Sequence, residues 1–230
     1  MNRLTDSAPL PASVLADNDP ATLAAALMQS RQTILPRRLL APGPDEQQLG
    51  MILNAAATAP DHGQLLPWRF VLVPQAARFR LADVFGAALM ERDAQATAEQ
   101  VAQAREKAQR SPLLLLVVVD SQRGDAEIDL SERTVSAGCA VQNMLLMATA
   151  LGFGSALTSG KALKSTGLRA LFGLTEGEQA LCFVSIGTAQ SRKPARLRPA
   201  PGDFVTSLSS YWGQTPISLR CEAPPPEGEP

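Results

Sequence analysis

The run Leu113-Leu-Leu-Leu-Val-Val-Val119 constrains this chain more than any other segment. Seven consecutive apolar residues with three β-branched ones at the end read as a strand covered on both faces, because a strand with one wet face would alternate. The run is too short to span a membrane, and Ser111-Pro112 marks where it begins. A strand buried on both sides needs a layer of structure above it and another below. The flanking sequence offers mostly helices to supply them.

Helical patterns surround the run. Thr22 to Arg31 reads as a first helix. Asp45 to Ala57 reads as a helix capped by Asp45, with Gln48 closing a capping box and Leu49, Ile52, Leu53 and Ala56 forming the apolar stripe. Leu81, Val84, Phe85, Ala88 and Leu89 mark another helix, followed by a polar helical stretch around 96–110. Thr134 to Leu151 is helical and apolar nearly all round, which implies burial or a partner, and Gly152 is its expected C-cap. Lys161 to Phe172 reads as a further short helix. Arg69 to Val73 and Cys182 to Ile186 read as strands, so the chain is expected to be α+β, with few strands spaced by helices. The expected division is an N-terminal extension, 1–20, one domain, 21–215, and a Pro/Glu-rich tail, 216–230, of the kind that stays unstructured.

Composition removes several functions. The net charge of −1 gives no overall field for nucleic acid or anionic lipid, so neither nucleic acid nor membrane is expected as a partner. Three scattered cysteines and a single histidine make neither a disulfide framework nor an imidazole or thiolate metal site, so no metal is expected. Residues 1–20 lack the apolar core of a signal peptide, and a cytoplasmic protein is expected.

Four stretches could carry chemistry. Ser30-Arg31-Gln32-Thr33 offers a guanidinium fork and a hydroxyl that suit a phosphate, although a solvated helix end looks the same. Gly152-Phe-Gly-Ser-Ala-Leu-Thr-Ser-Gly160 would let a flat ligand approach the backbone. It also reads as a helix stop and tight turn, and it is neither a P-loop nor a dinucleotide fingerprint. Arg192-Lys-Pro-Ala-Arg-Leu-Arg198 could add phosphate contacts or be a solvated charge run. His62, in Ala59-Pro-Asp-His62-Gly, could be a site residue or a polar turn residue.

The order of these pieces resembles the nitroreductase family of FMN-dependent oxidoreductases, in particular its short bacterial NAD(P)H nitroreductase branch. The resemblance spans about residues 24–208. It rests on Arg31-Gln-Thr33, Ala59-Pro-Asp-His62, Pro67-Trp68, Ser136-Ala-Gly-Cys139, Gly152-Phe-Gly154, Ser159-Gly160, Gly187-Thr188 and Asp203-Phe-Val205. It implies a mixed central sheet flanked by helices, in an intertwined homodimer with FMN at the subunit interface. Arg31, Gln32 and Thr33 would hold the phosphate and ribityl chain, Leu157, Thr158 and Ser159 would lie beside the flavin ring, Arg196 or Arg198 would complete the phosphate site, and His62 would reach the flavin of the other subunit. NADH or NADPH would donate electrons, and nitroaromatics, quinones or similar electron-poor compounds would accept them. No side chain is assigned as catalytic, because the cofactor carries the hydride chemistry. The family pattern is altered at Gln32, Thr58, Leu66 and Leu157-Thr158. Two cationic side chains are missing near the flavin, which leaves open a non-catalytic flavin-binding or redox-sensing module on the same fold.

Overall fold

The computed structural model describes residues 19–192, 194 and 197–208, and the backbone of 214–216. Its α-helices are α1 (Pro20–Ser30), α2 (Glu46–Ala56), α3 (Arg78–Arg92), α4 (Ala98–Glu106), α5 (Leu130–Ala150) and α6 (Thr166–Phe172). Its strands are β1 (Leu39–Leu40), β2 (Trp68–Leu72), β3 (Leu113–Asp120), β4 (Gly154–Thr158), β5 (Glu178–Ala189), β6 (Thr206–Leu208) and β7 (Gln214–Pro216). The chain divides into two compact units, Pro20–Lys193 and a second made from the residues on either side of it. In the second, β6 pairs antiparallel with β7.

The apolar run is β3, and it pairs on one edge with β2 and on the other with β5. Its side chains sort by parity. Leu113, Leu115, Val117 and Val119 join a core built with α2 and α5, and Leu114, Leu116 and Val118 join a second core with α3 and α6. The sheet is therefore the middle layer of three, as a strand with no polar face requires. β5 runs past the end of β3 and takes β1 there, while β4 pairs with it across residues 183–187. The named strands of this sheet all pair antiparallel. Its parallel element is one bridge, Thr33 to Ser155.

Local chemistry explains the boundaries. Gln48 N donates to Asp45 Oδ1 at 2.8 Å and Asp45 N donates to Gln48 Oε1 at 3.0 Å, so the expected capping box starts α2. α5 begins earlier than its apolar pattern suggests, because Asp129 caps it by accepting from the backbone N–H of Ser131 and Glu132. It ends at Ala150 with Leu151 as its C-cap, and Gly152 takes the left-handed conformation (φ 86°) just after. Two expectations change. The helix expected over 161–172 is a single 3-10 turn, Lys161–Lys164, and then α6, separated by Ser165, which caps α6. The segment expected to be only a turn and polar loop contains β4, because the edge of β5 gives Gly154–Thr158 a partner. At Gly187 a Cβ would lie 2.6 Å from Pro112 Cδ and 3.0 Å from Leu40 O, so only glycine lets β1 close over β5. No helix among the described residues is long and apolar enough to cross a membrane.

Arg78 joins the second core to the sheet. It is 1 % exposed, and its guanidinium donates to the carbonyls of Val73 and Ala108 at 2.8 Å and of Ser111 and Pro112 at 3.4 Å. It satisfies the backbone around both ends of the α3–α4 excursion. Replacing it with methionine keeps the bulk and removes every donor. A buried acceptor left unsatisfied costs about 1–3 kcal/mol, so Arg78→Met is expected to lower stability by at least about 2 kcal/mol. The check is a shift of the urea midpoint with an unchanged slope.

Candidate functional site

Two places in the Pro20–Lys193 unit gather the residues that the sequence singles out. The first is built on β4. Its bridge to Thr33, and the bond from Ile34 N to Ser155 O at 2.9 Å, lay the segment after α1 alongside the strand. Arg31, Gln32 and Thr33 thus lie next to the β4 segment that leads to Leu157, Thr158 and Ser159. The same extended segment continues to Leu35, Pro36 and Arg37, which with Thr158 and Ser159 line a cavity of about 640 Å³. Thr158 is opposite Phe183 on β5, and Phe183 also lines the cavity. Leu157 is exposed and is not part of the lining. The far wall comes from Phe85, Leu89 and Arg92 of α3, from α4, and from Lys107 and Arg110 after it. Phe85, half-buried, meets the buried Phe183 edge-to-face at 5.8 Å and gives the wall its aromatic character.

Arg37, Arg92, Lys107 and Lys161 in this lining are absent from the sequence reading. The Pro36-Arg37-Arg38 and Glu106-Lys107 steps look like solvated ends of polar segments. Only the register that places α3, α4 and the 158–163 loop around one space makes them neighbours. Of the two arginines expected to complete a phosphate site, Arg198 belongs to the second unit and Arg196 lies outside the described residues.

The second place holds His62. The loop from Asp61 to Pro67 is tightly wound. Gly63, Gln64 and Leu66 all have positive φ (66°, 53° and 47°), which is unfavourable for glutamine and leucine. Asp61 holds it closed, accepting from Leu66 N through Oδ2 at 2.6 Å. Arg133, 1 % exposed, stiffens the adjoining loop by donating to the carbonyls of Ile128, Asp120, Arg123 and Asp125. One residue before it, Glu132 points outward, and its Oε2 lies 2.7 Å from His62 Nδ1. That hydrogen bond and the charge of Glu132 raise the His62 pKa above its ordinary value, with smaller help from Asp125 and Asp61.

These two places lie at opposite ends of the sheet. Thr33 bridges to Ser155, which is opposite Ile186 and so at the Leu113 end of β3; His62 sits by α5's first turn, where Arg133 bonds Asp120 at the other end. An eight-residue strand, the length of β3, covers about 24 Å at ~3.4 Å per residue. His62 does not line the cavity of its own chain.

His62 is the sequence's only histidine, so an untagged protein gives one imidazole signal. Its NMR titration is expected to fall above ~6.5, the ordinary value, and to return towards it in Glu132→Gln. A histidine with a raised folded pKa adds its stability in full below the unfolded value. That contribution is lost as pH rises through the folded value.

Comparison with known proteins fits this architecture. The profile of the Nitroreductase family matches residues 28–188. A Haemophilus influenzae protein named "Putative NAD(P)H nitroreductase" is 35 % identical over 173 residues, which is 75 % of this chain and 93 % of that protein. Among solved structures, a nitroreductase-like family protein from Bacillus cereus superposes with a TM-score of 0.69 at 20 % identity, covering 80 % of this chain and 95 % of that one. An NADPH:FMN oxidoreductase from Vibrio harveyi, complexed with NAD+, superposes with a TM-score of 0.62 at 18 % identity over 82 % of this chain and 78 % of that one. The chain belongs to the nitroreductase family of oxidoreductases.

Proposed function

We propose that the protein is an FMN-dependent oxidoreductase that takes electrons from NADH or NADPH and passes them to nitroaromatic, quinone or similar electron-poor compounds. The observation that carries this reading is the bridge between Thr33 and Ser155. It joins a phosphate-type donor set, Arg31 and Thr33, to the Thr158–Ser159 loop on the rim of a cavity of about 640 Å³. The donor set suits the cofactor. A guanidinium and a hydroxyl fit a phosphate, and a cavity with an aromatic wall and a polar loop fits a flat heterocycle. When bound, FMN supplies the hydride chemistry. The chain's own residues then anchor the phosphate, hold the ring edge through Thr158 and Ser159, and enclose the space where the acceptor lies.

The same reading makes the protein a homodimer whose sites draw on both chains. Two observations support it. His62, which the family resemblance assigns to the flavin, lies far from its own chain's cavity. Leu23 and Met28 of α1, Met51 and Leu53 of α2, and Val135 of α5 are exposed, on helices that pack together. The open stripe of α5 includes Val135, Gly138 and Gln142, and nothing approaches the Cβ position of Gly138. Leaving apolar surface wet costs about 25 cal/mol per Å², and a symmetric copy is the simplest cover.

The purified protein is expected to be yellow, to release FMN rather than FAD on heating, and to lose its visible absorption when mixed anaerobically with NADH or NADPH. A colourless protein that fails to take up FMN would overturn the reading, and a flavin that neither donor bleaches would instead favour a binding or sensing module.

Arg31→Ala is expected to weaken FMN binding without unfolding the chain. A hydrogen bond to a charged group contributes about 1.5–3 kcal/mol, and ~1.4 kcal/mol is one decade, so the loss is about tenfold to a hundredfold. In a mixed dimer of Arg31→Ala and His62→Ala chains, shared sites put both lesions in one site and leave the other intact. Half the sites should then bind FMN with wild-type affinity in a titration, whereas two equally weakened sites would mean that each site is built from a single chain.

A further inference from the structure

The cavity's charge runs against that of the whole chain. Net charge is −1, yet five cationic side chains line this space: Arg37, Arg92, Lys107, Arg110 and Lys161. Among the described residues that line it there is no aspartate or glutamate. Arg110 is neutralised by Glu106, four positions earlier, its Nε lying 3.1 Å from both carboxylate oxygens. That contact holds Glu106 below its usual carboxylate range. The other four form no ion pair with any described residue. They come from four places in the chain: the segment after α1, the end of α3, the turn after α4, and the loop after β4. Between them lie Phe85 and Leu89, with the buried Leu114 and Phe183 behind.

Cations lining one concave space add up to a positive local potential whatever the sign of the net charge, and because the four without an ion pair are exposed, that potential is open to screening by salt. A flavin alone leaves most of that charge unanswered. In the reading above, its phosphate is held by Arg31 and Thr33, and its ring brings at most a single negative charge. A volume of about 640 Å³ also exceeds what the ring fills, and pockets for small ligands span about 300–1,000 Å³.

We infer that the cavity selects an anionic electron acceptor: a flat, electron-poor ring bearing a carboxylate or sulfonate. Its ring lies against Phe85 and Leu89, and its anion is held by Arg92 and Lys107. This rests on the flavin-dependent reading and narrows its substrate class. Arg92 and Lys107 are on the α3–α4 side, on elements that carry none of the residues assigned to the flavin. For a nitro acceptor the net step is balanced: the nitro group takes a hydride equivalent from NAD(P)H and a proton from solvent, one N–O bond breaks, and the products are the nitroso compound, water and NAD(P)+. The phosphates of the nicotinamide donor share the same chemistry with a substrate carboxylate, so the test separates the two.

The test uses the flavin-loaded protein with 4-nitrobenzoate and its neutral isostere 4-nitrobenzamide. The amide is the more electron-poor, so intrinsic reactivity works against the expected order. The expected result is a kcat/KM at least about tenfold higher for the carboxylate, the size of one charge-assisted contact, and falling with added salt. In the Arg92→Gln/Lys107→Gln double variant that ratio is expected to collapse towards unity while the KM for the nicotinamide donor stays put. Equal kcat/KM for the two probes in the wild type would overturn the inference. So would a double variant that keeps the ratio but raises the donor KM, since the cations would then serve the donor. Equilibrium dialysis of both probes gives a readout that needs no turnover. If the protein binds no flavin, the functional reading fails by itself, and dialysis still decides whether the cavity prefers the anion; equal retention of the two probes overturns that preference.

Discussion

A strand with no polar face organises this molecule. β3 is buried along its length apart from Asp120 at its end, and it cannot sit at a sheet edge or under open solvent. β2 and β5 cover its two edges, and the parity of its side chains divides the interior into two cores. Each core needs its own helical cover. α2 and α5 form one layer, α3 and α6 the other, and the two layers have different tasks. The α5 layer carries the His62–Glu132 pair and the exposed apolar helices. The α3 layer stands away from the sheet at its α4 end and leaves the cavity. Arg78 and Arg133 hold one side each, and both do so by donating to backbone carbonyls rather than to carboxylates. Multiple bonds from a planar guanidinium let a charge remain buried without an acidic partner.

What was legible in the sequence follows from how local each signal is. The β3 run, the Asp45–Gln48 capping box and the long α5 pattern depend on neighbours within a few residues, and each is present in the structure, α5 beginning four residues before its apolar pattern does. β4 has no such signal. Gly-Ser-Ala-Leu-Thr is short, begins with glycine and does not alternate; it becomes a strand only because the edge of β5 and the Thr33 bridge supply partners. β5 likewise extends to twelve residues, beyond the five, 182–186, that mark it, since β3 pairs with it over 178–186, β4 over 183–187 and β1 over 188–189. Strand length here is set by partners, and partners are distant in sequence.

The candidate site divides the same way. Arg31–Thr33 and Thr158–Ser159 stood out because each is a compact motif beside a structural break. The cavity cations did not, because each taken singly is a long side chain at the polar end of an element, where most such residues are only solvated. Leu157 makes the opposite point. It lies inside a motif, but the alternation of β4 turns it away from the wall formed by Thr158. Motif membership identified the segment, and the strand's two-residue period determined which of its side chains faces the space.

Net charge is a poor guide to such a molecule, and the reason is geometric. Acidic groups are spread over exposed helices and loops, where water and salt screen them within about 8 Å at physiological ionic strength. Four of the cavity's cations, although exposed, form no ion pair with any described residue, and they line one concave space. A sum over the chain weights both sets equally, whereas a ligand entering the cavity responds mainly to the cations. The sequence's near-neutral balance therefore argues against an extended polyanion as partner while leaving room for a small anion. The loop 61–67 follows the same logic on the other face. Its left-handed Gln64 and Leu66 are unfavourable conformations that the Asp61 bond and the Arg133-stiffened neighbour keep in place. His62 stands exposed beside this loop, held by Glu132 in the first turn of α5 rather than packed into the core of its own chain.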